Sequence, residues 1–511
     1  VKEMNKESRL YHSIKNIATG YIYQLVMIFL TFISRTVFIH YLGVEYLGLN
    51  SIFLDILNML SLADLGLSSA MTYSFYKPLS DNDKNKIAGL IGFYKRVYLI
   101  IAVAISVLGI IVIPFLKYIV NFKYKVDGVN VYYVLSLANV VASYLYIYKT
   151  SIIIADQKNY IINSINTVLS VFKNIVQIIS ILIFRSYLVY LLVGIISTIL
   201  TNYISSKRAD KLYPYINQKE ILSKKEKKSV YQTLKSVSIY KLSSVLLNAT
   251  DNTIISVLMG TVIVGYYSNY FMLSSKITQM VALVFTSITA SIGNVIVKES
   301  SKKRYEIFCM EQAVSFVISG IIVSSFIVMA SDFIKVWLGK TFVLDMKVVI
   351  VIGINMYLSV VLQPLWSYRE ATGLYVKTKW IMLYAAIINI ILSIILGKII
   401  GLMGVLLASA ISRIVTYVWY EPVILFKKYF NVKTIKYFKG ILYNVLATSM
   451  ITLLNLFFLR NVVANSWVTL TIKGIICFLI SSIVFVLIYV RSNGMNLLLS
   501  RLHLNNHHKH F

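Results

Sequence analysis

Long apolar runs cut by short polar joints make up nearly the whole chain. A helix needs about 20 apolar residues to cross hydrocarbon. By that measure the chain predicts fourteen membrane spans, at roughly 16–40, 47–76, 90–118, 130–154, 160–183, 186–206, 234–258, 261–296, 306–336, 346–368, 377–397, 400–424, 437–459 and 466–490. Several exceed the minimum length, which allows tilt or extension beyond the bilayer. The longest joint, 207–233, falls between the sixth and seventh spans. No joint has room for a soluble catalytic domain.

Part of the pattern returns. Thr36, Gly43, Gly48 and Ser51 reappear at the same spacing as Thr253, Gly260, Gly265 and Ser268, an offset of 217. Ser151 and Ala155 return as Ser367 and Ala371 at an offset of 216. The repeat implies two six-helix bundles, 1–206 and 234–424, joined by a basic cytoplasmic connection, 207–233. Residues 425–511 add a cytoplasmic loop, spans thirteen and fourteen, and a basic tail. Six is even, so both bundles have the same orientation, and such parallel repeats place a central cavity between the halves. The fold class expected is an all-α integral membrane protein.

Composition agrees: 58% of residues are hydrophobic, 14% are charged and the mean hydropathy is +0.75. A soluble domain is about half apolar and a quarter charged. No cleavable signal peptide is visible ahead of the first span. The two cysteines, Cys309 and Cys477, lie in apolar runs, so neither a disulfide framework nor a zinc site is expected. The cations are unevenly spread. About 32 Lys and Arg fall on the N-terminus and the even-numbered joints, against about 9 on the odd ones, which places both termini in the cytoplasm. That bias accounts for the net charge of +30 without nucleic acid. The run Lys224–Lys228 reads as a segment held at anionic lipid.

Ionisable groups at membrane depth are costly unless they face a partner or water. Here they are Arg35, Asp55, Asp64, Lys173, Lys241, Asp251, Lys276, Arg413 and Lys473. Cations outnumber carboxylates, the balance an anionic substrate requires, and a diphosphate suits guanidinium and ammonium donors. Arg35, Lys173, Lys241, Lys276 and Arg413 are therefore the substrate-binding candidates, with Lys173, Lys276 and Arg413 the most central. Asp55, Asp64 and Asp251 are candidates for ion coupling. Alternatives stand beside these: Arg35 and Asp55 read equally as a pair closing one end, and Asp64 equally as a helix bridge. Lys473 reads as a snorkelling side chain and Glu311 as a wet group near the cytoplasmic end. The terminal His507–His510 run is a solvated tail, and the sequon at Asn248 lies within a span. Pro364 should kink or end a helix in the tenth span. Most of the 38 tyrosines suit interfacial belts; Tyr144, Tyr146 and Tyr148 suit a sugar-accommodating surface.

The runs Ser34–Asn50 (SRTVFIHYLGVEYLGLN), Leu62–Ala70 (LADLGLSSA), Tyr76–Leu79 (YKPL), Lys86–Ala88 (KIA) and Phe93–Arg96 (FYKR) resemble the bacterial polysaccharide repeat-unit flippases of Wzx type. That family shares a superfamily with the multidrug and toxic compound extrusion (MATE) transporters and the lipid II flippases. The resemblance implies export of an undecaprenyl-pyrophosphate-linked oligosaccharide across the plasma membrane for capsule, O-antigen or exopolysaccharide synthesis. Other expected partners are membrane lipids and the polysaccharide polymerase and assembly proteins. The diphosphate and sugars would lose their hydration in hydrocarbon. A cavity lined by Lys and Arg would replace it, and the prenyl tail would stay in lipid. No covalent bond changes and no ATPase motif is present, so neither an enzyme nor a cofactor is expected, and an ion gradient or membrane potential supplies the energy. Two alternatives remain: an ion-coupled multidrug antiporter, which would favour a carboxylate-rich cavity, and a polymerase or glycosyltransferase, which would favour a large external loop.

Overall fold

In the computed structural model, residues 2–61, 67–121, 127–218, 220, 222, 250–372 and 374–501 are described. Almost all are helical, with no strand among them. The chain forms two compact units, Val1–Gly265 and Tyr266–Phe511.

The first unit begins with α1 (Lys2–Leu42), α2 (Val44–Leu60), α3 (Leu67–Ser80) and α4 (Lys84–Val112). Then come α5 (Leu116–Ile119), α6 (Val129–Ser143), α7 (Thr150–Ala155), α8 (Asn159–Phe184), α9 (Tyr187–Leu212) and α10 (Asp251–Met259). α11 (Thr261–Lys298) crosses from the first unit into the second. The second continues with α12 (Ser301–Leu338), α13 (Met346–Val361), α14 (Gln363–Thr372), α15 (Tyr375–Ile414) and α16 (Tyr417–Leu425). It closes with α17 (Ile435–Phe458), α18 (Trp467–Tyr489) and α19 (Asn493–Arg501). Polar residues at the joints start several helices: Asp83 accepts the Lys86 N–H, Asp345 the Lys347 N–H, and Ser466 and Thr469 form a capping box on α18.

Among the described residues nine helices are long and apolar enough to cross a membrane, or ten if the bent pair α13–α14 is one span. The difference from fourteen has definite places. Residues 62–66 of the second predicted span and most of the seventh lie outside the described residues, and α11, which covers the eighth, is not among the nine. The eleventh and twelfth run together as Trp380–Phe430, with non-helical backbone at Ile400 and Gly401.

Among the described residues two spans are broken at matching positions of the repeat. α6 ends at Ser143 and Tyr146 adopts a positive φ of 65° before α7. α13 ends at Val361, where α14 departs at 40°. Leu362, between α13 and α14, corresponds to Tyr146 at the offset of 216, and Pro364 sits in the first turn after it. A break frees carbonyls that hydrocarbon cannot solvate, so neighbouring side chains must take them. Asn202 Nδ2 donates to the Ser143 carbonyl at 2.9 Å. In the second unit Ser315 Oγ donates to Val360 O at 3.0 Å and Gln312 Nε2 to Val361 O at 3.3 Å.

The last two membrane helices are tied to α12 by a buried polar network. Asn444 of α17 accepts from the Tyr357 hydroxyl at 2.8 Å and donates to Phe316 O at 3.2 Å and the Tyr489 hydroxyl at 2.9 Å. Ser481 of α18 bonds Ser324 at 3.0 Å and Asn455 at 2.8 Å. Gly320 leaves no space for a side chain against the Phe485 ring. Small residues that let helices approach, with polar groups hydrogen-bonding across them, hold helices together where apolar burial gives no net drive.

Candidate functional site

In the first unit the repeated motif has a structural meaning. Gly43, between α1 and α2, and Gly260, between α10 and α11, share one backbone conformation: φ 92°, ψ 168° and φ 92°, ψ 165°. That region is all but closed to residues with a Cβ. Gly48 and Gly265 then pack reciprocally. A Cβ on Gly48 would strike the Thr261 carbonyl, and one on Gly265 would strike Val44. Since 44 and 261 differ by the same 217, the two motif copies touch each other through equivalent atoms.

Near this crossing, Asp55 Oδ2 accepts the backbone N–H of Asn252 at 3.2 Å. Asn252 lies in the first turn of α10, where unpaired N–H groups and the helix dipole favour a carboxylate. Asp251 is the first residue of that helix, so two of the coupling candidates meet at one helix start. Arg35, on α1, interacts with the phenol of Tyr190. Around Tyr190 lies an aromatic cluster. Tyr187 stacks on it at 6.1 Å between ring centres, Tyr132 meets Tyr187 at 5.0 Å and Tyr46 meets Tyr187 at 5.3 Å. The Tyr187 hydroxyl donates to Asn50 at 3.1 Å. These rings, not Tyr144, Tyr146 and Tyr148, form the larger aromatic assembly. Lys173, midway along α8, is half-buried. Lys241 and Asp64 lie outside the described residues, as does the Lys224–Lys228 run.

In the second unit the ionisable groups gather at the end of α15. Arg413 Nη1 donates to Ser359 Oγ on α13 at 3.2 Å. Arg369 of α14 and Glu421 of α16 form a buried ion pair at 2.8 Å. Tyr417 lies within electrostatic reach of all three charges. Tyr417 thus sits among Arg413, Arg369 and Glu421. Sequence reading placed Arg369 in a polar joint, because the tenth span was drawn to end at residue 368. Lys276, in the body of α11, is half-buried and has no hydrogen-bond or ion-pair partner among the described residues.

Two expectations are corrected. Lys473 does not snorkel: its Nζ meets Asp332 Oδ2 on α12 at 2.7 Å, and the residue is buried. Glu311 is not wet. It is 2% exposed, and neither carboxylate oxygen has a hydrogen-bond partner among the described residues. Its depth is set by helices wrapped around α12, which a one-dimensional span boundary does not register.

The helices and their broken spans define an all-α, multi-pass membrane protein. Its fold is that of lipid-flipping and drug-exporting transporters. The lipid II flippase MurJ in an inward closed conformation superposes with a TM-score of 0.67 at 16% identity, covering 94% of this chain and 100% of that one. An inward-facing multidrug resistance MATE family transporter of the MOP superfamily gives 0.56 at 14% identity, covering 76% and 93%. A mutant form of the Vibrio cholerae MATE transporter VcmN gives 0.55 at 15% identity, covering 80% and 95%. At these identities the likeness is one of fold. Neither a sequence-family model nor a curated protein sequence matches the chain.

Proposed function

We propose that the protein is a flippase for undecaprenyl-pyrophosphate-linked oligosaccharide repeat units, moving them from the inner to the outer leaflet of the plasma membrane for surface polysaccharide synthesis. The observation that carries this reading is the gathering of Arg369, Glu421 and Arg413 around Tyr417 in the second unit. Guanidinium groups suit a diphosphate and are poor hosts for a cationic drug. The fold shared with a lipid II flippase supports the same substrate class. Arg35, Lys173, Lys241, Lys276 and Arg413 line a cationic cavity that replaces the head group's hydration, and alternating access exposes it to each side in turn. Both termini are cytoplasmic. The protein moves its substrate unchanged, so it acts as a transporter. An ion gradient or the membrane potential drives the cycle, with Asp55, Asp64 and Asp251 as candidate coupling carboxylates.

The test is leaflet-resolved detection of the lipid-linked repeat unit in cells with and without the gene. Accumulation on the inner face without the protein is expected; unpolymerised units on the outer face would instead mark a polymerase. Arg413→Glu should abolish export at an unchanged protein level. Normal surface polysaccharide in that variant would remove Arg413 from the substrate site.

A further inference from the structure

We infer that the first unit carries a binding groove for an anionic phospholipid, separate from the transport site and independent of which substrate is moved. Helices α1, α8 and α9 enclose an open groove of about 570 Å³ lined by Lys15, Lys207, Arg208 and Lys211, with Tyr160 and Ser164 between them. Among the described residues no carboxylate lines it. Two acids of this unit, Asp210 and Asp156, are engaged with other groups: Asp210 with Lys149 at 2.6 Å, and Asp156 with Lys158 and the Tyr213 hydroxyl, each at 2.6 Å. The wall below the cations is apolar, made by Ile161, Ile165 and Ile204. It continues into the exposed apolar side chains Val168, Phe172 and Ile175 of α8. Positive charge over an apolar track fits one amphiphile, with a phosphate head at the membrane surface and acyl chains along α8. The charge count puts this end of the helices at the cytoplasmic leaflet, where basic pockets between spans recruit anionic lipid. Tyr160 takes part through its ring, which lies 4.3 Å from the Lys15 ammonium and holds that side chain over the groove.

The experiment is native mass spectrometry of the full-length protein titrated with phosphatidylglycerol or with phosphatidylcholine of the same chains. The wild type should retain phosphatidylglycerol about tenfold more tightly, and a Lys207→Gln/Arg208→Gln/Lys211→Gln variant should lose that preference. A control, Lys427→Gln/Lys428→Gln, changes exposed cations elsewhere and should keep it. Should the triple variant not fold, Lys207→Gln and Lys211→Gln singly should each lower the preference about twofold. Equal retention of the two lipids by the wild type overturns the proposal. So does an equal loss in the control. Displacement of phosphatidylglycerol by inorganic phosphate would make this a free-anion site, and displacement by equimolar undecaprenyl diphosphate would make it a loading site for the transported carrier; either result also overturns it.

Discussion

Arg369 and Glu421 are 8% and 6% exposed at their side chains, so each is the other's replacement for water. Removing one leaves an uncompensated buried charge, which costs about 3–5 kcal/mol, whereas replacing both with apolar groups is often neutral. Arg369→Met should therefore lower the thermal melting point of the purified protein markedly, and Arg369→Met/Glu421→Met should recover most of the loss. A double variant as unstable as the single one would mean that the guanidinium's other contacts matter more than the pair. Glu311 calls for the opposite expectation. An ionised carboxylate without hydrogen bonds is costly to bury, so Glu311→Gln, which keeps the shape and removes the charge, should melt no lower than wild type. If this group joins the coupling carboxylates, gradient-driven transport in the variant should fall at least about tenfold. Unchanged transport would leave Glu311 a structural oddity. Neither Arg369–Glu421 nor the burial of Glu311 was legible in the chain. Both depend on which helices close around a position, and hydropathy reports only the position's neighbours in sequence. Arg413 and Lys276 were legible because each lies deep in a long apolar run, where any charge stands out.

Among the helices, the glycine spacing carried more information than the spans did. The offset of 217 marked a duplication; the structure shows that it also marks a contact, with Gly48 against Thr261 and Gly265 against Val44. The obstacles at both sites include backbone, which cannot yield as a flexible side chain would. Gly48→Leu and Gly265→Leu should therefore each reduce folded protein, by similar amounts. Gly43→Ala and Gly260→Ala act differently, by forcing a Cβ into a conformation that costs about 1–3 kcal/mol. Both should lower the melting point while leaving the helix crossing intact. Fluorescence-detected size exclusion and melting curves separate the two outcomes, and unequal effects within either pair would mean that the two copies do not contribute equally to stability. The kink at Pro364 was legible from its missing N–H. Its counterpart at Tyr146 was not, because no proline or glycine marks it; there Asn202, far along the chain, accepts the task of bonding the freed carbonyl.

For the whole molecule, the direction of the proposed transport depends on which way the helices face the cytoplasm, and that orientation rests on Lys and Arg alone. The joints at Lys158 and Lys207 belong to the cation-rich set, those at Arg185 and Lys340 to the sparse one. Carrying cations outward opposes the membrane potential and removes them from an anionic inner leaflet, so the rich set is expected inside. The prediction uses a background in which Cys309 and Cys477 are replaced, with single cysteines placed at those four joints. In intact cells a membrane-impermeant maleimide should label Arg185→Cys and Lys340→Cys, and should reach Lys158→Cys and Lys207→Cys only after permeabilisation. The inverse pattern would turn the protein over. The groove formed by Lys15, Lys207, Arg208 and Lys211 would then face the outer leaflet, and a flippase loading from the inner face would have its cation-rich end on the wrong side. A mixed pattern within one set would instead mean that the even and odd joints do not alternate, so that one of the fourteen predicted spans fails to cross.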